Sequence, residues 1–352
     1  MTDPKPASTR SLVVHMVPYD GIGGVETAAR SMRNLKHDFI DFKVNFIFKK
    51  VTHTRQRWTT FNPFSFLSAI RKVTIDRPDV LIISLWRSAI VGVFAKLLRP
   101  DLKLVVFIHC PNNVHWLDFI FTRFAISLAQ EVWADSLASQ GKRFPNIKPE
   151  KWRIISFVTR NFEVLPAKMV RPNFIFWGRI SHTKGLASAL RIFSGIREQQ
   201  PSARFWIIGP DGGSLNATKQ LCETLGVTEA VVFLGAATLD EIATHAKKAS
   251  FYLQTSLFEG MAMSVVEAMQ MGLVPIVTAV GEIDSYCQSG ENSVVIDTEE
   301  LAIESVLTLL ACDAQYKAMR SKAIATWNDV PRYAESVLHA CEALLAANQK
   351  IF

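Results

Sequence analysis

The sequence predicts an α/β protein made of two doubly wound parallel-sheet domains that face a cleft. Three observations carry this expectation. Short runs rich in β-branched and aromatic residues alternate with helix-length segments, the pattern of parallel βαβ units. The alternation restarts after residue 172. The length, 352 residues, suits two domains of ~100–200 residues each.

In the first half, strands are expected at "LVVHMV" (12–17), "KVNFIF" (43–48), "DVLIISL" (79–85), "LKLVVFIH" (102–109), "EVWA" (131–134) and "WRIIS" (152–156). Segments such as "VETAARSMRNL" and "SAIVGVFAKLL" read as the helices between them. The second series runs "NFIFWG" (173–178), "ARFWIIG" (203–209), "AVVFLG" (230–235), "SFYLQ" (250–254), "VPIVT" (274–278) and "SVVI" (293–296). Its helices include "KGLASALRIFSGIREQ" and "LDEIATHAKKA". Between the series, "VTRNFEVLPAKMVRP" (158–172) has two prolines and no strong periodicity, so it reads as a linker. The expected organisation is a Rossmann-like domain at 1–165, a second at 166–330, and a C-terminal helix over 331–352 that packs back across the domains.

Composition narrows the function classes. No apolar run reaches the roughly 18 residues that a membrane span requires. The opening "MTDPKPASTRSLVVHMV" lacks signal-peptide order. Cys110, Cys222, Cys287, Cys312 and Cys341 form no C-x-x-C pair, as expected of reduced thiols in a cytoplasmic protein without a zinc site. The net charge of +7 is uneven. Residues 1–171 hold 26 Lys and Arg against 13 Asp and Glu, or +13; residues 172–352 hold 13 against 19, or −6. A basic half suits anionic lipid, nucleic acid or phosphorylated substrates, and ordinary solvated charge is the plain alternative. The absence of a stacking or basic-groove motif argues against nucleic acid.

Ligands of doubly wound sheets bind beyond the carboxyl ends of the strands, so the loops there hold the candidate residues. After the first strand, "YDGIGGVETAAR" offers Gly21, Gly23 and Gly24 for a tight turn into a helix whose free N–H groups attract anions. It is not the dinucleotide fingerprint, because Glu26 takes the place of the third glycine. His109 ends the fourth strand and His115 follows it; each reads either as a ligand contact or as a hydrogen-bonded structural histidine. In "FIFWGRISHTKGL", Arg179 and Lys184 flank a short loop, where two cations can hold a diphosphate; a solvated arginine and a helix-start lysine are the alternative.

The densest stretch is "FEGMAMSVVEAM" (258–269). Glu259 falls in a loop, Gly260, Met261 and Ala262 fall at a helix start, and Glu267 falls inside the helix among apolar residues. At ~1.5 Å per residue the two carboxylates lie at most ~12 Å apart. A diphosphate on the helix N-terminus would sit between them, with each carboxylate accepting sugar hydroxyls on its own side.

Taken together, "GGVE", the "GR" and "KG" around Arg179 and Lys184, "FLG" at 233–235 and the E-x7-E segment followed by "QMGLVPIV" resemble the retaining glycosyltransferases of family 4, which have the GT-B fold. The resemblance covers the C-terminal half closely and the N-terminal half loosely. It implies that Glu259 contacts the donor sugar near the reacting centre and that Glu267 binds the nucleotide ribose. It implies that Arg179 and Lys184 neutralise the leaving diphosphate, that Gly23 and Gly24 lie against donor phosphates or acceptor, and that His109 contacts the transferred sugar. Gly260, Met261 and Ala262 would supply backbone N–H groups. Two departures stand out: Met261 and Ala262 replace the Phe-Gly of the family pattern, and Glu282 replaces one of its glycines.

The resemblance therefore implies a retaining transfer of a sugar from a nucleotide-sugar, a UDP-sugar ahead of a GDP-sugar, without a metal. The first domain would bind the acceptor, a lipid-linked or saccharide one in bacterial surface polysaccharide synthesis (O-antigen, capsule or exopolysaccharide). Aromatic and basic residues mix in 55–72 and 115–129, as in segments lying at the inner face of the cytoplasmic membrane, although both also read as core helix. A GT-B sugar-nucleotide 2-epimerase and a non-catalytic GT-B binding subunit are the rival readings.

Overall fold

A computed structural model describes residues 10–21, 23–33, 35–48, 62–109, 116–140, 144, 146–166 and 169–347. His115 and the stretch 55–61, both candidates from the sequence, lie outside the described residues. By its internal contacts the chain forms two units, one of residues 1–160 with 331–352 and one of 161–330.

The first unit holds a parallel sheet of β1 (Ser11–Tyr19), β2 (Ile40–Phe48), β3 (Val80–Ser84), β4 (Lys103–Ile108), β5 (Glu131–Ala134) and β6 (Trp152–Ile154). Its order is β2-β1-β3-β4-β5-β6. All five residues of β3 are buried, which is why its sequence, VLIIS, is a continuous apolar run rather than an alternating one. The connecting helices are α1 (Gly24–Ser31), α2 (Pro63–Asp76), α3 (Trp86–Leu98) and α4 (Trp116–Leu128). Asn62 starts α2 by accepting the N–H of Phe64 at 3.0 Å, with Pro63 in the first helical position. Helices α2, α3 and α4 share one face of the sheet: Ala69 and Val73, Ala89 and Val93, and Ala125 and Ile126 join one core with Met16, Ile83 and Val106. Right-handed crossovers along this strand order demand that placement.

The second unit holds β7 (Asn173–Trp177), β8 (Arg204–Ile208), β9 (Val231–Gly235), β10 (Phe251–Gln254), β11 (Val274–Val277) and β12 (Val294–Val295), in the order β12-β11-β10-β7-β8-β9. Its helices are α5 (Leu186–Gln199), α6 (Leu215–Thr224), α7 (Leu239–Ala246), α8 (Met263–Met271), α9 (Ile283–Tyr286), α10 (Glu299–Ala311) and α11 (Asp313–Ala325). The chain then returns to the first unit as α12 (Tyr333–Ala346). Tyr333 stacks on Phe107 with ring centroids 6.3 Å apart, and Lys103 donates to the carbonyl of Leu344 at 2.8 Å.

All twelve strands that the sequence predicts are present, in two parallel sheets. The passage between units falls at Arg160–Asn161, inside the 158–172 stretch but ahead of the expected 165/166 boundary. The reason is that Leu165 is tied into the second unit: its N–H donates to Met271 at 3.0 Å and its carbonyl accepts from Arg320. Among the described residues, no helix is long and apolar enough to cross a membrane.

Candidate active site

Parallel pairing sets β7 beside β10, so the loops that leave these strands emerge as neighbours. Arg179 to Lys184 follow β7, and Thr255 to Ala262 follow β10. The two loops are laced together. The N–H of Leu257 donates to Thr183 at 2.9 Å, and Thr255 Oγ1 donates to the carbonyl of Gly185 at 2.6 Å. Gly185 adopts φ +64° with the Thr255 carbonyl where a Cβ would sit, so only glycine fits.

This lacing brings Lys184 to Glu259. Lys184 Nζ donates to Glu259 Oε1 at 2.6 Å, Ser256 Oγ donates to the same oxygen at 2.6 Å, and Gln254 Nε2 does so at 3.0 Å. Among the described residues, the second carboxylate oxygen, Oε2, accepts nothing. The Glu259 side chain is only 10% exposed. A nearly buried carboxylate is thus held by one oxygen and open at the other.

Glu267 lies on α8 and is buried. Its Oε2 accepts the indole N–H of Trp177 at 2.8 Å. The two glutamates belong to one polar chain. Tyr252 Oη is 2.6 Å from Gln254 Oε1 and 3.2 Å from the Trp177 carbonyl, and Ser264 Oγ donates to Gln254 Oε1 at 2.8 Å. Full burial drives the Tyr252 phenol well above its ordinary pKa, so it stays a neutral donor. Sequence reasoning missed Trp177, Tyr252, Gln254 and Ser256. Polar residues inside the buried "FYLQTS" run were the available signal.

Arg179 is exposed and makes no ion pair among the described residues. Its stem lies over Gly212, where a Cβ would overlap it. The helix start is shaped from behind. The N–H of Glu282 donates to the Gly260 carbonyl at 3.0 Å, and Tyr286 Oη donates to the Met261 carbonyl at 2.9 Å. Among the described residues, the N–H groups of Gly260, Met261 and Ala262 are unpartnered. Ala262 adopts φ +54°, a left-handed conformation in which the family pattern places glycine.

The first-unit candidates lie at the carboxyl ends of β1 and β4. Gly23 is extended and caps α1, and the Glu26 carboxylate folds back to where a Cβ on Gly23 would sit. His109 follows β4, and both its ring nitrogens are engaged. Nδ1 is 3.3 Å from Asp135 Oδ2, and Nε2 is 2.9 Å from Ser84 Oγ. Ser84 Oγ also lies 2.8 Å from His15 Nε2. With the Asp135 carboxylate taking the Nδ1 proton, His109 Nε2 accepts from Ser84, and Ser84 accepts from His15. That assignment leaves His15 Nδ1 as an unshared buried lone pair, and this atom indeed has no partner. The reverse assignment strands a buried N–H, which costs more. Burial, reinforced by His109, pushes His15 down to about 3 and keeps it neutral. Asp135, Ser84 and His15 come from three different strands, His15 from the middle of β1, and no sequence spacing announces them.

The profile of the family described as Glycosyl transferases group 1 matches residues 157–326. An uncharacterized glycosyltransferase, YqgM, of Bacillus subtilis is 23% identical over 38% of this chain and 37% of its own length. The GDP-mannose:cellobiosyl-diphosphopolyprenol alpha-mannosyltransferase of Xanthomonas campestris is 26% identical over 45% of this chain and 42% of its own. The matched stretch spans less than half of either relative. Among solved structures, Anabaena Alr3699/HepE in complex with UDP-glucose superposes with a TM-score of 0.76 at 17% identity, covering 96% of this chain and 100% of that one. The fold is therefore GT-B.

Proposed function

We propose that this GT-B protein, whose residues 157–326 match the glycosyl transferases group 1 profile, transfers a hexosyl group from a UDP-sugar to a lipid-linked saccharide, with retention of configuration. The observation that carries the reading is Glu259, which among the described residues is fixed through Oε1 and open at Oε2, beside Lys184, N–H groups without a partner and an Arg179 without an ion pair. Oε2 accepts a hydroxyl of the donor sugar. Lys184, Arg179 and the N–H groups of Gly260 to Ala262 meet the charge that grows on the departing diphosphate. Two side-chain cations together with a helix N-terminus supply the charge that a metal would otherwise bring, so the transfer is metal-independent.

Glu267 takes the ribose, held in one orientation by the Trp177 indole. The likeness of the Arg179–Lys184 and E-x7-E segments to retaining enzymes supports retention. The Xanthomonas relative is named for an acceptor on diphosphopolyprenol, and the Anabaena structure contains UDP-glucose; these support the acceptor and donor classes. The protein would act in surface polysaccharide synthesis at the inner face of the cytoplasmic membrane. The test is incubation with a panel of UDP- and GDP-sugars, with and without polyprenol-diphosphate saccharides, read as nucleotide release and as the anomeric configuration of the product. Release from no donor sinks the reading. An epimerised donor formed without acceptor would establish the 2-epimerase instead.

A further inference from the structure

Gln254 closes β10 behind Phe251, Tyr252 and Leu253, and it is fully buried. A buried carboxamide in such a strand costs stability unless its polar atoms are used. Here they are used in a fixed order. Tyr252, two residues back and so on the same face of the strand, donates its hydroxyl to Gln254 Oε1 at 2.6 Å. Ser264 Oγ, from α8, donates to the same atom at 2.8 Å. Burial keeps the Tyr252 phenol neutral, so its proton is there to be donated. Both lone pairs of Gln254 Oε1 are then filled, and the amide nitrogen is left to face Glu259 Oε1, 3.0 Å away. The reverse orientation would set two acceptor oxygens against each other inside the protein, one of them a carboxylate's.

Glu259 Oε1 has three donors, and they are not equivalent. Lys184 and Ser256 belong to the loops that follow β7 and β10, whereas Gln254 belongs to the sheet itself. The two hydroxyls behind Gln254 polarise its amide and strengthen the N–H that reaches Glu259. Without that N–H, the carboxylate would be held by loop residues alone and could turn, exchanging its two oxygens between the loops and a ligand. We propose that Gln254, oriented by Tyr252 and Ser264, is a positioning residue for the transfer: it anchors the Glu259 carboxylate to the sheet so that Oε2, and not Oε1, is presented to the donor sugar. Gln254 does not touch the substrate; it acts through Glu259. The inference rests on the proposed role of Glu259 as the sugar contact and adds what holds that contact in place.

The test follows nucleotide release by the full chain from UDP-glucose, UDP-galactose and GDP-mannose, with UDP and GDP as product inhibitors. Gln254→Leu keeps the size of the side chain and removes the donor. Its kcat/KM on the donor that wild type uses best is expected to fall about 10–100-fold, the usual loss of a hydrogen bond to a charged group. The inhibition constant of the free nucleotide, which has no sugar for Glu259 to hold, is expected to move less than about threefold. Gln254→Glu is isosteric with the amide and carries the test even if the leucine variant fails to fold. Its protonated carboxyl donates to Glu259 Oε1 as the amide does; once that proton is lost, two carboxylates face each other across 3.0 Å. Its kcat relative to wild type should therefore be highest at low pH and fall at least about tenfold between about pH 5 and 8. Thermal unfolding at each pH checks that the variants stay folded. A pH profile for Gln254→Glu parallel to that of wild type overturns the proposal. So does a folded Gln254→Leu with normal kcat/KM, or one that weakens donor and free nucleotide equally, as a merely structural residue would. Release from no donor by wild type overturns the transferase reading and this inference with it, whereas wild-type turnover matched by both variants overturns this inference alone.

Discussion

Lys184 and Glu259 are held together at 2.6 Å by two loops that leave neighbouring strands, and Lys184 shares Glu259 Oε1 with Ser256 and Gln254. The pair makes the two cations of the site unequal: Lys184 is ion-paired to a carboxylate, whereas Arg179 makes no ion pair among the described residues.

Lys184→Ala and Arg179→Ala are each expected to lower kcat by ~10²–10³, the usual loss when one preorganised donor to a developing charge is removed. They should differ in donor affinity. Loss of Lys184 also unlatches Glu259, so its KM for the nucleotide-sugar rises, whereas Arg179→Ala mainly affects kcat. Steady-state kinetics on both variants checks this, and near-normal kcat in both would remove the diphosphate role.

Activity is expected to persist in excess EDTA if, as proposed, Lys184, Arg179 and the α8 N-terminus meet the charge on the leaving diphosphate. An assay in chelator, followed by addition of Mg²⁺ or Mn²⁺, reads this directly; loss in chelator that either ion restores would contradict it.

Two backbone positions should respond in opposite directions. Gly185→Ala forces a Cβ into the Thr255 carbonyl at φ +64° and is expected to cost at least ~2 kcal/mol and to displace Lys184. Ala262→Gly relieves a left-handed alanine at φ +54°. Its gain of ~1–2 kcal/mol in the folded state is partly offset by ~0.4–1 kcal/mol from a freer unfolded chain, leaving a change from zero to about +1.6 kcal/mol. Urea unfolding of each variant measures both.

His15 predicts a pH dependence of stability. Its folded pKa, about 3, lies below its ordinary value of 6.5. Between these values the unfolded chain binds a proton that the folded chain refuses, so stability falls as pH drops through that window. The slope is ~1.4 kcal/mol per pH unit, or about 2 kcal/mol from pH 6.5 to 5. His15→Gln should flatten that part of the profile, and parallel profiles for the two proteins would show that His15 is not its source.

The strands were legible because a parallel strand covered on both faces must be written as an unbroken apolar run, as in VLIIS of β3 and VPIV of β11. Arg179, Lys184 and Glu259 were legible because each follows such a run closely. Their partners were not. Lys184 joins Gln254 and Ser256 on Glu259 Oε1 only because β7 and β10, distant in sequence, pair in the sheet. His15, Ser84, His109 and Asp135 likewise converge only through the order β1-β3-β4-β5. The stretch 115–129 was ambiguous for a different reason. Its apolar residues surround the helix, and only the burial of Thr122, Ala125 and Ile126 shows which side faces the sheet.

The return of α12 to the first unit has a consequence for biosynthesis. The ribosome delivers Asn161–Val330 as one uninterrupted segment, which can close its own sheet as soon as it emerges. The earlier-made unit must wait. Phe107 and Phe157 lack one wall of their packing until Tyr333 arrives to contact both. Maturation thus runs against the order of translation, and a ribosome stalled before codon 333 would leave a finished insert inside an unfinished host, a nascent chain for chaperones to shield.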